Sequence, residues 1–100
     1  MERQRLFKMN DIERNMLVRA LLDIRETVEP GQYDAVQMLG AKTVSAPKGK
    51  LYLTEEEFDW ATTALNGLRN AYLAAGRSSG GIDKVLMKLM QSKYRCVFAR

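Results

Sequence analysis

The feature that most constrains the fold of this chain is a helix-forming pattern that occurs twice. In the first copy, Asn10 and Glu13 have the spacing of a capping box, in which each side chain accepts a hydrogen bond from the other residue's backbone amide. Apolar residues then recur every three or four positions, which is the period of an amphipathic helix. They are Ile12, Met16, Leu17, Ala20, Leu21, Ile24 and Val28. We expect this helix to begin near Asp11 and to end before Pro30, whose ring disfavours helix at the preceding residue.

The second copy begins 44 positions after the first. Thr54 and Glu57 repeat the capping box, and Gly76 is a natural left-handed end for the helix. The apolar face between them consists of Phe58, Ala61, Ala64, Leu65, Leu68, Tyr72 and Ala75. At this offset Glu13 falls on Glu57 and the two apolar faces coincide. The match has two interpretations, an internal duplication or a chance agreement between two amphipathic helices.

Each copy is followed by a turn and a shorter helix-forming segment, YDAVQMLG in the first half and IDKVLMKLM in the second. Residues 43–53, TVSAPKGKLYL, favour extended structure around a turn signal at residues 46–49. The final helix is expected to continue through Arg95.

The sequence therefore predicts one mainly α domain. It consists of two pseudo-repeated helical hairpins in a four-helix arrangement, formed by residues 1–42 and 54–100. Residues 43–53 join them as a short extended or β-hairpin segment. One hundred residues is the usual size for a chain that buries one compact core.

The chain contains no histidine, which argues against most familiar enzyme mechanisms. Histidine is the usual general base and the commonest zinc ligand, so Ser78, Ser79 and Cys96 have no partner to activate them as nucleophiles.

A single cysteine forms no intramolecular disulfide, which suits a reducing compartment. The charged start MERQRLFKM lacks the apolar region of a signal peptide, and no apolar run is long enough for a bilayer. We expect a cytoplasmic protein without catalytic residues, metal or cofactor, and without a membrane partner.

A formal net charge of +4 favours acidic partners. Several cations fall near one stripe or border of the predicted final helix, and others lie at the N-terminus. They are Lys84, Lys88, Lys93 and Arg95, with Arg3, Arg5 and Lys8. One interpretation is a basic surface that contacts nucleic-acid phosphates or an acidic protein face. The alternative is a solvated helix face whose cations suit the C-terminal end of the helix dipole.

Two further polar segments have simpler explanations than chemistry. The acidic cluster of Glu55, Glu56, Glu57 and Asp59 is what a helix N-terminus favours, and it has no calcium-loop spacing. The loop GRSSGG precedes a helix but lacks the ending of a P-loop, so a flexible connector is the better interpretation.

Some residues differ between the copies or fall outside the main apolar faces. Met16 of the first copy corresponds to Trp60, and Leu22 corresponds to Asn66. Val18 lies one turn from Leu22, off the main face of the first helix. These four residues, Trp60, Val18, Leu22 and Asn66, are the candidates for binding a protein partner or for self-association into an oligomer. The alternative is that the apolar members are ordinary core in a four-helix arrangement.

The stretch TEEEFDWATTALNGLRNAYLAAGR, followed by IDKVLMKLM, resembles short uncharacterised helical proteins of Gram-positive prophages and mobile elements. The matching motifs are Ala64-Leu65-Asn66, Leu68-Arg69, Gly76-Arg77 and Asp83 to Leu89. The resemblance implies a small non-enzymatic phage protein that binds a protein partner, for example an anti-CRISPR-like inhibitor of a host defence system. The alternative, from the basic residues, is a nucleic-acid-binding accessory protein.

Overall fold

The computed structural model describes residues 2–97, with side chains described for residues 3–94. This part of the chain is mainly helical, with four α-helices and a small three-stranded antiparallel sheet. The elements in order are β1 (Glu2–Lys8), α1 (Asp11–Arg25), α2 (Pro30–Val44), β2 (Lys50–Leu53), α3 (Glu55–Ala74), α4 (Gly80–Met90) and β3 (Lys93–Val97). A short 3₁₀ turn at Pro47–Gly49 precedes β2.

Both predicted capping boxes are confirmed. The Asn10 side chain accepts the Glu13 amide at 2.8 Å, and the Glu13 carboxylate accepts the Asn10 amide at 2.9 Å. Thr54 and Glu57 repeat this exchange at the start of α3, at 3.1 and 2.9 Å. Gly76, just beyond α3, has the expected positive φ of 73°. The sequence thus defined both long helices at their N-terminal ends.

The sheet has the order β2-β1-β3, so the N-terminal strand is central and antiparallel to both neighbours. The strand β1 was not predicted from the sequence. Its alternation is hard to see because Arg5 stands on the same side of the strand as Phe7, the one buried apolar residue within β1. A charged residue at an inward position hides the period of two by which strands are recognised.

The predicted helix through Arg95 is wrong beyond Met90, because the chain leaves the helix and forms β3 from Lys93. The Ser92 hydroxyl donates to the Leu89 carbonyl at 2.6 Å and so closes the last turn. The following residues then pair with β1, with Tyr94 opposite Arg5. This long-range pairing competes with helix propensity and prevails over it.

The predicted extended connector at residues 43–53 is also wrong in part. Helix α2 continues through Thr43 and Val44, and only Lys50–Leu53 forms a strand. The buried Thr43 hydroxyl donates to the Leu39 carbonyl at 2.8 Å, so this residue satisfies its polar group within the helix. The strand β2 pairs with the distant β1 and does not form a local hairpin.

The helices cover one face of the sheet and enclose the core. Helix α1 packs against α2 and α3, and α4 packs against α3. The inward faces predicted for the long helices are largely confirmed; their buried members are Leu17, Ala20, Leu21, Ile24, Ala61, Ala64, Leu65 and Leu68. The prediction that Ile12 belongs to the buried face of α1 is wrong, since its side chain is 75% exposed. Within residues 2–97, no helix has the length and apolar character needed to cross a bilayer.

Candidate functional site

The two faces of the sheet differ sharply in character. Phe7, Leu51 and Leu53 are buried beneath the helices, and Arg5 on the same side stacks on Phe58 of α3. No helix within residues 2–97 covers the other face, and we call it the open sheet face. Its described side chains are Gln4, Leu6, Lys8, Lys50, Tyr52 and Lys93. Successive side chains along a strand point to opposite faces of the sheet, which places these six together. In β2, for example, Lys50 is exposed and Tyr52 half-buried, whereas Leu51 and Leu53 are buried.

The ladder registers place these residues next to one another. Leu6 lies at the centre between its register partners Tyr52 and Lys93, and Lys8 lies directly opposite Lys50. All three lysines are exposed, and none forms an ion pair with a residue in the part of the chain described. No acidic side chain is among the six that this face presents in residues 3–94.

Two depressions border the open sheet face. A cleft of about 280 Å³ lies between the end of β1 and the end of α4, and Lys8, Lys88 and Lys93 are among its lining residues. A smaller depression of about 160 Å³ adjoins Tyr52 and includes Lys42 and Lys50. The further lysines that they contain, Lys88 and Lys42, are held in ion pairs with Glu13 and Glu57.

Lys88, one of the predicted phosphate contacts, is occupied in an ion pair. Its Nζ donates to Glu13 Oε1 at 2.8 Å and lies 5.8 Å from the centre of the Phe7 ring. Burial by itself would raise the pKa of Glu13. The hydrogen bonds from Lys88 and from the Asn10 amide, with the Lys88 charge, outweigh burial and leave the pKa below its ordinary value. Lys88 therefore stabilises the junction of α1 and α4.

Arg5, a second predicted phosphate contact, belongs to the interior side of the sheet. Its guanidinium carbon lies 4.1 Å from the centre of the Phe58 ring and 4.6 Å from that of Tyr94. It donates to the Ser92 carbonyl at 3.1 Å, and its Nε lies 3.7 Å from a Glu55 oxygen. The Tyr94 hydroxyl donates to Glu55, which raises the pKa of Tyr94. Arg5 is thus a structural group between two rings.

The remaining predicted cations are dispersed. Lys84 is exposed on α4, and Arg3 is exposed with its guanidinium 5.0 Å from the centre of the Tyr94 ring. Of the predicted set with described side chains, Lys8 and Lys93 lie on the open sheet face. The backbone of Arg95 pairs opposite Gln4, while its side chain lies outside the described residues. The predicted basic stripe of one final helix is therefore wrong, because that helix ends before Lys93.

Sequence reasoning missed Lys50 and Tyr52. Their signal was present in the alternation of Lys50-Leu51-Tyr52-Leu53, which has the period of a half-buried strand. That pattern did not reveal which strand would pair with β2, so it did not bring Lys50 to Lys8.

The residues predicted to bind a protein partner occupy three places. Val18 and Leu22 line one groove between α1 and α2. Trp60 is half-buried against the core and lines a separate cavity with Met38. Asn66 is exposed on α3. The structure therefore brings Val18 and Leu22 together and separates them from the other two.

The acidic and hydroxyl groups are explained by the fold. Glu57 caps α3 and accepts from Lys42 at 2.9 Å. Ser79 donates to Asp83 at 3.0 Å, and Asp83 also accepts from Arg69 at 2.7 Å. Among residues with described side chains, no group of three acidic, cysteine or histidine residues is placed to hold a metal ion.

No family model matches this chain, and neither a curated protein nor a solved structure matches it. The resemblance of its second half to prophage proteins stays a prediction. The chemistry of the molecular surface is then the basis for a functional proposal.

Proposed function

We propose that this protein is a non-enzymatic domain that binds single-stranded nucleic acid on its open sheet face. The observation that carries the proposal is the placement of Lys8, Lys50 and Lys93 around Tyr52 and Leu6, on a face without a described acidic side chain. Lysines neutralise backbone phosphates and release condensed counterions. An aromatic ring beside them offers a stacking surface for a base.

The position of Tyr52 favours a single strand over a duplex as the ligand. Tyr52 is half-buried, with its backbone in the edge strand β2, where an unpaired base can approach the ring. In a duplex the bases are already stacked on each other, so Tyr52 has no base face to contact. Three lysine contacts predict that the logarithm of affinity falls with the logarithm of salt concentration at a slope of about −2, at roughly −0.7 per contact.

The test is fluorescence polarisation with a labelled single strand of about 12 nucleotides and its duplex, as DNA and as RNA, from about 50 to 200 mM salt. Lys50→Glu with Lys93→Glu removes two lysines from the face. Arg19→Glu with Lys84→Glu is the matched control, because these exposed cations lie on α1 and α4 and the change in net charge is the same.

We expect the double variant on the sheet to weaken single-strand binding at least about tenfold and to flatten the salt dependence by more than one unit of slope. The helix control is expected to change binding by less than about threefold through its long-range charge. Equal losses in the two variants, or no wild-type binding at low salt, would contradict the proposal.

Tyr52 provides an independent test. Replacing Tyr52 by Ala is expected to weaken binding at least about fivefold, since stacking contributes roughly 1 kcal/mol or more per base, with no change in salt slope. Tyr52→Phe keeps the ring and is expected to bind like the wild type. A Tyr52→Ala protein that binds normally would remove the stacking part of the proposal.

We also propose that the two halves are a pseudo-repeat of a strand followed by two helices, with an offset of 44 residues. Within α1 and α3, four pairs at this offset are buried in both members: Leu17 with Ala61, Ala20 with Ala64, Leu21 with Leu65, and Ile24 with Leu68. Phe7 and Leu51 are also separated by this offset, are both buried, and are register partners in the sheet. The pattern supports a domain assembled from two related hairpins. A test is to express residues 1–49 alone, which contain one strand and two helices. Assembly into a helical dimer by circular dichroism and light scattering is expected, and an unfolded monomer would count against it.

A further inference from the structure

Helices α1 and α2 leave an apolar groove of about 320 Å³ between them. Val18, Leu22 and Arg25 of α1 line it, with Gly40, Ala41 and Val44 of α2. Leu22 is 48% exposed and Val44 is 58% exposed, so the rim holds large apolar side chains in water. The volume is at the lower end of the range for ligand sites, which suits one or two inserted side chains.

Two of the residues that line the groove, Gly40 and Ala41 of α2, are small and leave it unfilled. A Cβ atom added to Gly40 would meet no atom within 4 Å, and Ala41 follows it. Glycine inside a helix costs stability relative to alanine, roughly 1 kcal/mol. The fold therefore keeps an unfavourable residue at the point where a larger side chain would fill the groove.

Arg25 gives the groove a charge preference. Its Nε is buried and has no hydrogen-bond acceptor among the described residues, while its guanidinium lies 5.2 Å from the centre of the Tyr33 ring. The described residues that line the groove include no acidic one. The Arg25 side chain as a whole is half-buried and forms no ion pair with a described residue, and a carboxylate is the acceptor that an arginine binds most strongly.

We propose that this groove is the docking site for an acidic amphipathic segment of another protein. The segment places a large apolar side chain over Gly40 and a carboxylate against Arg25. This assignment keeps Val18 and Leu22 as partner-binding residues and adds Arg25, Gly40, Ala41 and Val44. It is independent of the open sheet face, which uses none of these residues.

The test starts with selection of a random peptide-display library on the wild-type protein. A selected peptide and its counterpart with Asn and Gln in place of Asp and Glu are then synthesised, and their affinities are measured by fluorescence polarisation. Gly40→Leu fills the groove, and Arg25→Gln removes its charge. Gly31→Leu is the matched control, since Gly31 lies on the same helix, also has open space around it and is outside the groove. Urea denaturation establishes that each variant is folded.

We expect the selected sequences to combine large apolar with acidic residues. Gly40→Leu and Arg25→Gln are each expected to weaken binding about tenfold or more, and the amide counterpart should show a similar loss only with Arg25 present. Gly31→Leu should bind like the wild type. Selected peptides without acidic residues, or peptides that bind Gly40→Leu normally, would overturn the proposal. Light scattering that shows a dimer in the wild type and a monomer in Gly40→Leu would also overturn it, by making a second copy the occupant.

Discussion

Lys8 of β1 lies directly opposite Lys50 of β2 on the open sheet face. Side chains directly opposite each other on one face are about 5 Å apart at their Cβ atoms, and like charges at such positions destabilise a sheet. The pair thus costs folding free energy, while it concentrates positive charge where a phosphate can bind. Stability and binding are expected to respond in opposite directions when this pair is changed.

Reversing one charge of the pair should stabilise the protein. Lys50→Glu is expected to raise the free energy of unfolding by about 0.5 kcal/mol, because repulsion becomes attraction across the strands. The double variant with Lys8→Glu restores a like-charge pair and should return close to the wild-type value. Urea denaturation measures both, and the difference should shrink at high salt since the groups are exposed. A Lys50→Glu protein less stable than the wild type at low salt would contradict this reasoning.

Arg5 should contribute to stability far more than to ligand binding. Arg5→Ala removes two ring contacts and the hydrogen bond to Ser92, and we expect a loss of roughly 2 kcal/mol in the free energy of unfolding. Arg3→Ala is the control, because Arg3 is exposed and contacts one ring; its loss should stay below about 1 kcal/mol. Equal effects of the two variants in urea denaturation would show that the stack on Phe58 adds nothing.

Gly49 should tolerate substitution much less than Gly76, although both have positive φ. An added Cβ at Gly49 would lie 2.1 Å from the Met9 carbonyl oxygen, whereas at Gly76 it would meet nothing within 4 Å. We expect Gly76→Ala to cost about 1 kcal/mol, from backbone conformation alone. Gly49→Ala should cost at least about 2 kcal/mol, because the turn before β2 must also shift. Thermal and urea unfolding of the two variants give the comparison; similar losses would mean that the backbone moves aside easily.

The ion pair between Glu13 and Lys88 should make stability depend on acid pH. The pKa of Glu13 is lower in the folded protein than its ordinary value of 4.5, so the unfolded chain takes up a proton first as the pH falls. The contribution is therefore present above about pH 4.5 and is lost below it. Glu13→Gln can keep the cap but not the charge, and should lower the free energy of unfolding at pH 7 by at most about 1 kcal/mol.

At pH 3 the gap between wild type and Glu13→Gln should nearly close. Asp23→Asn is a matched control on the same helix, since Asp23 is exposed and forms no ion pair with a residue of described structure. Urea denaturation at the two pH values measures the gap. A gap that stays constant with pH would place the effect in the cap and not in the ion pair.

Much of the helical structure could be read from the sequence, because its signals are local. The capping boxes of Asn10 with Glu13 and Thr54 with Glu57 join residues three positions apart, and the buried faces follow the helical period. The exception within a helix was Ile12, which belongs to the apolar stripe but lies in the first turn of α1 and is exposed. The spacing of apolar residues shows which of them share a helix face, but it does not show how much of that face the neighbouring elements bury.

The sheet and the candidate site were decided by tertiary structure. Lys8 and Lys50 are separated by most of the first half of the chain, and Leu6 meets Lys93 only because both ends of the sequence converge in one sheet. Strand pairing is non-local, so no window of sequence contains both partners. By itself the sequence determined two capped amphipathic helices, an excess of positive charge and the absence of histidine. The tertiary structure placed Arg5 and Lys88 in structural contacts, while Lys8, Lys50 and Lys93 form no ion pair with a residue of described side chain. The physical reason is that Arg5 and Lys88 lie against aromatic rings and against carboxylates of the packed helices, whereas the three lysines lie on the open sheet face.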